Sequence, residues 1–237
     1  MEVVKVDNYD EMSEKAADMV VDTLTQAKEP VLGFATGATP EKLYEILVER
    51  NIRKEISFQQ VKTFNLDEYV GLGENDPNSY RYYMNDKLFH KVDIEMENTY
   101  IPNGLATSLD KECERYEQKI QKAGTIDLQL LGLGLNGHIG FNEPGSAFES
   151  KTHVTQLDKS TIEANARFFK RVEDVPTKVI TMGIGTIMKA KQILLLVQGE
   201  KKADILKKVI YGEVTEDIPA SILQRHPKVT LITDIRI

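Results

Sequence analysis

Residues Ile126–Gly145 read IDLQLLGLGLNGHIGFNEPG. The first nine are almost wholly apolar and thin out at Gly132 and Gly134. The next eleven hold one His, one Glu, two Asn and three Gly. A short Leu-rich run bounded by glycine reads as a strand buried on both faces, the kind found in a parallel sheet with helices on either side. Working outward, five more runs have the same character: PVLGFATG (Pro30–Gly37), VKTFNLDEY (Val61–Tyr69), KVITMGIG (Lys178–Gly185), QILLLVQG (Gln192–Gly199) and KVTLITD (Lys228–Asp234). Between them apolar residues recur at helical spacing: Met12, Ala16, Met19, Val20 and Leu24; Leu43, Ile46 and Leu47; Cys113, Tyr116 and Ile120. Strands alternating with helices predict an α/β fold, an open and mainly parallel sheet with helices on both faces in a Rossmann-like three-layer arrangement. No repeat, low-complexity segment or Pro/Gly linker interrupts it, so residues 1–237 are expected to form a single domain. Ligands of such sheets bind at the carboxyl ends of the strands, where strand order reverses. The strand-to-helix junctions are therefore where function belongs.

Composition narrows the partners. The chain carries 37 acidic and 30 basic residues, a net charge of −7, so it gains nothing from long-range attraction to nucleic acid or an anionic membrane. A bound phosphate would have to be held by a few local groups. Cys113 is the single cysteine and excludes an internal disulfide. No apolar run approaches the ~18 residues that span a bilayer, and MEVVKVDNYDEMSEK is too acidic for a signal peptide, so a cytoplasmic protein is expected.

Three junctions carry chemistry. In FATGATPEKLYEIL, Thr36, Gly37, Ala38 and Thr39 precede a helix that Pro40 opens, with Thr39 suited to the N-cap. Free N–H groups at such a start, aided by the helix dipole, make an anion site. There is no GK[ST], so a nucleotide triphosphate is not indicated. In TFNLDEYVGL, Asp67 and Glu68 follow a strand; neighbours in a strand point to opposite faces, so one can meet a ligand while the other serves structure. In the opening stretch, Gly137 and Gly140 let the chain turn around His138, with Asn136, Asn142 and Glu143 close enough in sequence to bond the ring. A neutral His is a proton acceptor at neutral pH, and a carboxylate partner raises its basicity. Metal and serine-hydrolase readings fare poorly: His90, His153 and His226 are scattered and there is no HExxH or GxSxG. Arg167 in ANARFFKR and Lys202 in QGEKKADIL are candidate phosphate partners.

Taken together, GFATGATP, FNLDEYVGL, DPNSY, GLNGHIGFNEPG, THVTQL, ANARFF, TMGIGTI and ILLLVQGEKKA run through nearly the whole chain. In them the sequence resembles the glucosamine-6-phosphate deaminase family, whose members convert glucosamine 6-phosphate and water into fructose 6-phosphate and ammonia. NLDEYVGL with GHIGFNEP is specific to it; 6-phosphogluconolactonases and sugar-phosphate-sensing regulators of the same fold group match far less well there. The resemblance implies that Asp67 accepts the C2 proton and that His138 opens the pyranose ring. It implies that Glu143 and Asn136 orient that His, and that Thr36–Thr39, Arg167 and Lys202 hold the phosphate. It implies no metal and no cofactor. Some members have Asp at the place of Asn136, so a lower ring-opening limb of the pH profile is expected here. Allosteric members supply Arg and Lys where this chain has His153 and Thr155, and have a longer C-terminal tail. No N-acetylglucosamine 6-phosphate effector site is expected, and a monomer or small homo-oligomer is. A lid is expected over about residues 157–176, carrying Arg167. Three alternatives stand beside this reading: a lactonase using a His-activated water, another sugar-phosphate isomerase, and a non-catalytic sensor. The sensor would need a DNA-binding module for which there is no room.

Overall fold

The computed structural model describes residues 1–166 and 169–236. Ten strands appear: β1 (Glu2–Lys5), β2 (Val31–Phe34), β3 (Lys62–Asn65), β4 (Asp67–Tyr69), β5 (Thr99–Tyr100), β6 (Leu128–Gly132), β7 (His153–Gln156), β8 (Lys178–Thr181), β9 (Gln192–Val197) and β10 (Val229–Thr233). Seven form one sheet in the order β1-β10-β9-β6-β2-β3-β5, with every pair parallel. The helices are α1 (Tyr9–Gln26), α2 (Glu41–Ile52), α3 (Tyr80–Lys87), α4 (Leu109–Ala123), α5 (Lys159–Asn165), α6 (Ile184–Ile187) and α7 (Ala203–Tyr211).

The chain runs from β2 outward to β3 and β5, then crosses back to β6 and continues the opposite way to β9 and β10. Right-handed connections running in opposite directions put their helices on opposite faces, α1 and α2 on one and α4 and α7 on the other. The expected three-layer fold is thus present. The order reverses between β2 and β6, and the crevice opens above their carboxyl ends. The core between the layers includes Met12, Phe34, Leu43, Phe58, Phe64 and Tyr116, all fully buried.

Two expectations change. VKTFNLDEY is two strands rather than one, and KVITMGIG does not join the main sheet. β4, β8 and β7 make a separate antiparallel sheet in the order β4-β8-β7. The corner is Leu66. Its N–H donates to Phe34 O at 3.1 Å, as if β3 continued beside β2, while its carbonyl accepts Met182 N at 2.6 Å. Beyond it Asp67 pairs with Thr181 across the antiparallel ladder. Both segments are buried on both faces, so their hydrophobic pattern cannot tell which sheet they enter. The edge strands β1 and β7 are only partly buried and β5 is two residues long, so none of them shows a continuous apolar run. Among the described residues no helix is long and apolar enough to cross a membrane.

Candidate active site

A cleft of about 1060 Å³ lies over the switch point between β2 and β6. The loops after β2, β3 and β6 line it, together with α5 and the turn before α7. Asp67, Asn136, His138, Thr36–Thr39 and Lys202 all border this one space. Arg167 lies outside the described residues.

Asp67 and Glu68 divide as strand alternation requires. Asp67 is buried and borders the cleft. Burial, with the charge of Glu68 adding to it, pushes its carboxyl well above the usual carboxylate range. Glu68 points the other way. Its Oε1 accepts the N–H groups of Tyr69 and Tyr80 at 2.9 Å each, and its Oε2 accepts that of Arg81 at 2.9 Å. Burial pushes Glu68 up to about 7 against the pull of those three donors. Tyr80 and Arg81 are the first two residues of α3, whose third orphan N–H, that of Tyr82, donates to the N-cap Ser79 Oγ at 3.0 Å. Glu68 therefore fastens β4 to α3, and Tyr80 and Tyr83 of that helix wall the cleft.

His138 is held from several sides. Its Nδ1 lies 3.2 Å from Glu143 Oε2, and that oxygen also accepts Asn136 Nδ2 at 2.7 Å. Asn136 Oδ1 accepts the His138 backbone N–H at 3.2 Å. The other Glu143 oxygen, Oε1, accepts Thr161 Oγ1 at 2.6 Å. Burial raises the Glu143 carboxyl, but hydrogen bonds from His138, Thr161 and Asn136 outweigh it and hold the group at about 2. The imidazole lies directly over Gly134, where a Cβ would come within 2.3 Å of Nε2. Gly140 takes φ +57°, where a Cβ would crowd Thr181 Oγ1 at 3.0 Å but meet Asp67 Oδ2 only at an ordinary 3.7 Å. Gly134 thus clears space for the imidazole, and Gly140 lets the chain turn beside β8.

Three details depart from expectation. Asn142 does not bond the ring; its Nδ2 donates to Ile139 O and Met182 O at 2.9 Å each and ties the loop to the end of β8. Asn136 acts through Glu143 and the His138 backbone rather than on the ring itself. The N-cap of α2 is Pro40 rather than Thr39. Pro40 has no N–H to give, and its carbonyl opens the helical ladder by accepting Tyr44 N at 3.0 Å, so Thr39 is left to the cleft loop.

Thr161 joins the site with no signal in the sequence. It lies eighteen positions beyond Glu143, on another element, and no local pattern marks a hydroxyl that folds back onto that carboxylate. The aromatic wall was also hidden: Tyr80 stacks on Phe141 at 6.2 Å, and Phe169 meets Tyr69 edge-on at 5.8 Å. Among the described residues no group of three His, Cys, Asp or Glu could hold a metal ion.

This geometry has relatives. A protein of Oceanobacillus iheyensis named glucosamine-6-phosphate deaminase is 54% identical over 99% of this chain and 94% of its own length. One of Clostridium beijerinckii with the same name is 52% identical over 99% and 97%. The solved structure of a monomeric glucosamine-6-phosphate deaminase superposes with a TM-score of 0.97 at 48% identity, covering 98% of this chain and 97% of that one. A 6-phosphogluconolactonase from Trypanosoma cruzi shares the fold, with a TM-score of 0.79 at 20% identity over 98% and 93%. The model describing glucosamine-6-phosphate isomerases and 6-phosphogluconolactonases matches residues 6–232. With its sheet, its corner at Leu66 and its glycine-hinged His loop all inside that span, the chain belongs to the glucosamine-6-phosphate isomerase/6-phosphogluconolactonase family.

Proposed function

We propose that this chain is a glucosamine-6-phosphate deaminase, converting glucosamine 6-phosphate and water into fructose 6-phosphate and ammonia. The observation that carries the reading is the single cleft at the switch point. A buried carboxylate, a carboxylate-held imidazole and a backbone-rich loop at a helix start all open into it. His138 takes the proton of the anomeric hydroxyl and returns one to the ring oxygen, opening the pyranose. Asp67 removes the proton from C2 of the open chain and delivers it to C1. O1 takes up a proton as C2 loses its own, giving an enolamine; protonation at C1 then leaves a C2 iminium. Water adds to C2, and the nitrogen departs with the C–N electron pair as ammonia, leaving the C2 ketone and returning the proton taken up. Each step is a proton transfer or an addition at carbon, so the side chains present are sufficient. The phosphate does no chemistry; held by Thr36–Thr39, Lys202 and Arg167, it supplies remote binding energy that keeps C1 and C2 against the two bases.

The share of identity with deaminases favours this reading over lactone hydrolysis, which gives Asp67 no carbon acid to act on. The enzyme works as a cytoplasmic monomer, with residues 157–176 as its lid. The test is a coupled assay on purified protein. Ammonia and fructose 6-phosphate should appear in equal amounts from glucosamine 6-phosphate, and far more slowly from unphosphorylated glucosamine. Acid release from 6-phosphogluconolactone without ammonia formation from the amino sugar would overturn it.

A further inference from the structure

Three tyrosine hydroxyls from three helices end on the loop between β2 and α2. Tyr44 of α2 donates to Ala35 O at 2.5 Å, Tyr83 of α3 to Gly37 O at 2.7 Å, and Tyr9 of α1 to Ala38 O at 3.0 Å. Tyr9 Oη in turn accepts the N–H of Lys42, in the first turn of α2, at 3.0 Å. A trans peptide points its C=O and the next residue's N–H in opposite directions. A hydroxyl that fixes the carbonyls of Ala35, Gly37 and Ala38 therefore also fixes, facing the other way, the N–H groups of Thr36, Ala38 and Thr39. Gly37 sits at φ +98°, so the loop bends at a residue with no Cβ to stiffen it. A Gly37–Ala38 peptide facing the other way would present a carbonyl lone pair to an anion in place of an N–H. Burial raises all three phenols, which keeps them protonated and donating.

We infer that Tyr9, Tyr44 and Tyr83 form a hydroxyl clamp that holds the Ala35–Ala38 peptides in the orientation that seats a phosphate. They are positioning residues for binding, with no part in proton transfer. The inference deepens the proposed function and rests on the loop being the phosphate seat.

The test removes one hydroxyl and keeps the ring. In Tyr83→Phe the edge-on contact with Tyr44, 6.4 Å between centroids, is retained. The KM for glucosamine 6-phosphate and the inhibition constant of inorganic phosphate should rise together, by about three- to tenfold, as expected for one neutral hydrogen bond. The kcat should stay within about twofold. Tyr9→Phe, at a more open position, should give the same pattern and serves as the second variant if Tyr83→Phe folds poorly. If phosphate inhibits the parent enzyme competitively but both variants keep parental KM and inhibition constants, the clamp is wrong and the phosphate seat stands. A fall in kcat at unchanged KM would also overturn the clamp. If phosphate does not compete in the parent enzyme, the seat itself is wrong and the clamp falls with it.

Discussion

Two residues carry opposite electrostatic tasks, and each gives a prediction. Asp67 is a carboxylate taken out of water, so it is a stronger base once ionised than an exposed one. Asp67→Asn preserves shape and removes the base, so kcat should fall by about 10²–10⁴-fold with KM little changed in steady-state assays. Near-parental turnover would exclude Asp67 from the chemistry. Thr161 works through another residue. Its hydroxyl shares the charge of Glu143 Oε1 while His138 and Asn136 share Oε2. Thr161→Val removes one of the donors that hold the Glu143 carboxyl low, so that carboxyl should become harder to ionise. The acid limb of the kcat–pH profile should then move up, and Thr161→Ser should restore it. A limb that does not move would assign it to Asp67, which Thr161 does not touch. His138 and Glu143 were legible in the sequence because they stand five apart between glycine hinges. Thr161 was not, because its partner is set by how α5 lies across the cleft, a tertiary fact with no local signature.

At the scale of elements, the start of α3 depends on one side chain. Glu68 accepts three backbone N–H groups that have no other acceptor within their own helix or strand. Glu68→Ala should cost about 3 kcal/mol or more, because each buried donor left unpaired costs about 1–3 kcal/mol. For a chain of this length that is a Tm lower by about 6–12 °C in a thermal melt. Glu68→Gln, which keeps an acceptor oxygen, should lose less. Strand alternation alone divides the two acids into a ligand-facing one and a structural one. That the structural one caps a helix twelve residues on is set by tertiary packing and has no local signature. The proposed lid belongs to this scale too. α5 gives Thr161 to Glu143, and Phe169 packs on Tyr69, so an opening of 157–176 would break both contacts. Amide hydrogen exchange in α5 should slow when a substrate analogue is bound; exchange that stays the same would argue for a fixed wall.

For the whole molecule, the alternation of buried runs with amphipathic stretches was enough to give the layers and to locate the switch point in principle. It was not enough to separate the two sheets, since a strand buried on both faces looks the same in either. Behaviour as one catalytic unit is an expectation that rests on charge and on the resemblance to the deaminase family. An effector bearing a phosphate needs cations at its own site, and β7 offers His153 and Thr155 where allosteric relatives have Arg and Lys. Saturation with glucosamine 6-phosphate should be hyperbolic and indifferent to N-acetylglucosamine 6-phosphate. Light scattering should give one species near the 26.8 kDa chain mass. A sigmoidal curve that the acetylated sugar phosphate straightens would show two coupled states and a site elsewhere.

The corner at Leu66 has a consequence in time. β3 can join β2 early, since both lie within a short span of chain. Asp67, one residue past the corner, is placed only when β4 finds β8 and Asp67 meets Thr181. That contact closes a long loop, and long loops close slowly. A ribosome-bound or refolding chain can therefore form the β2–α2 loop and half the central sheet while Asp67 still swings on an unpaired strand. Lys202 lies farther along the chain than β8, so both walls of the cleft wait on late segments and the cleft is among the last parts of the molecule to be completed.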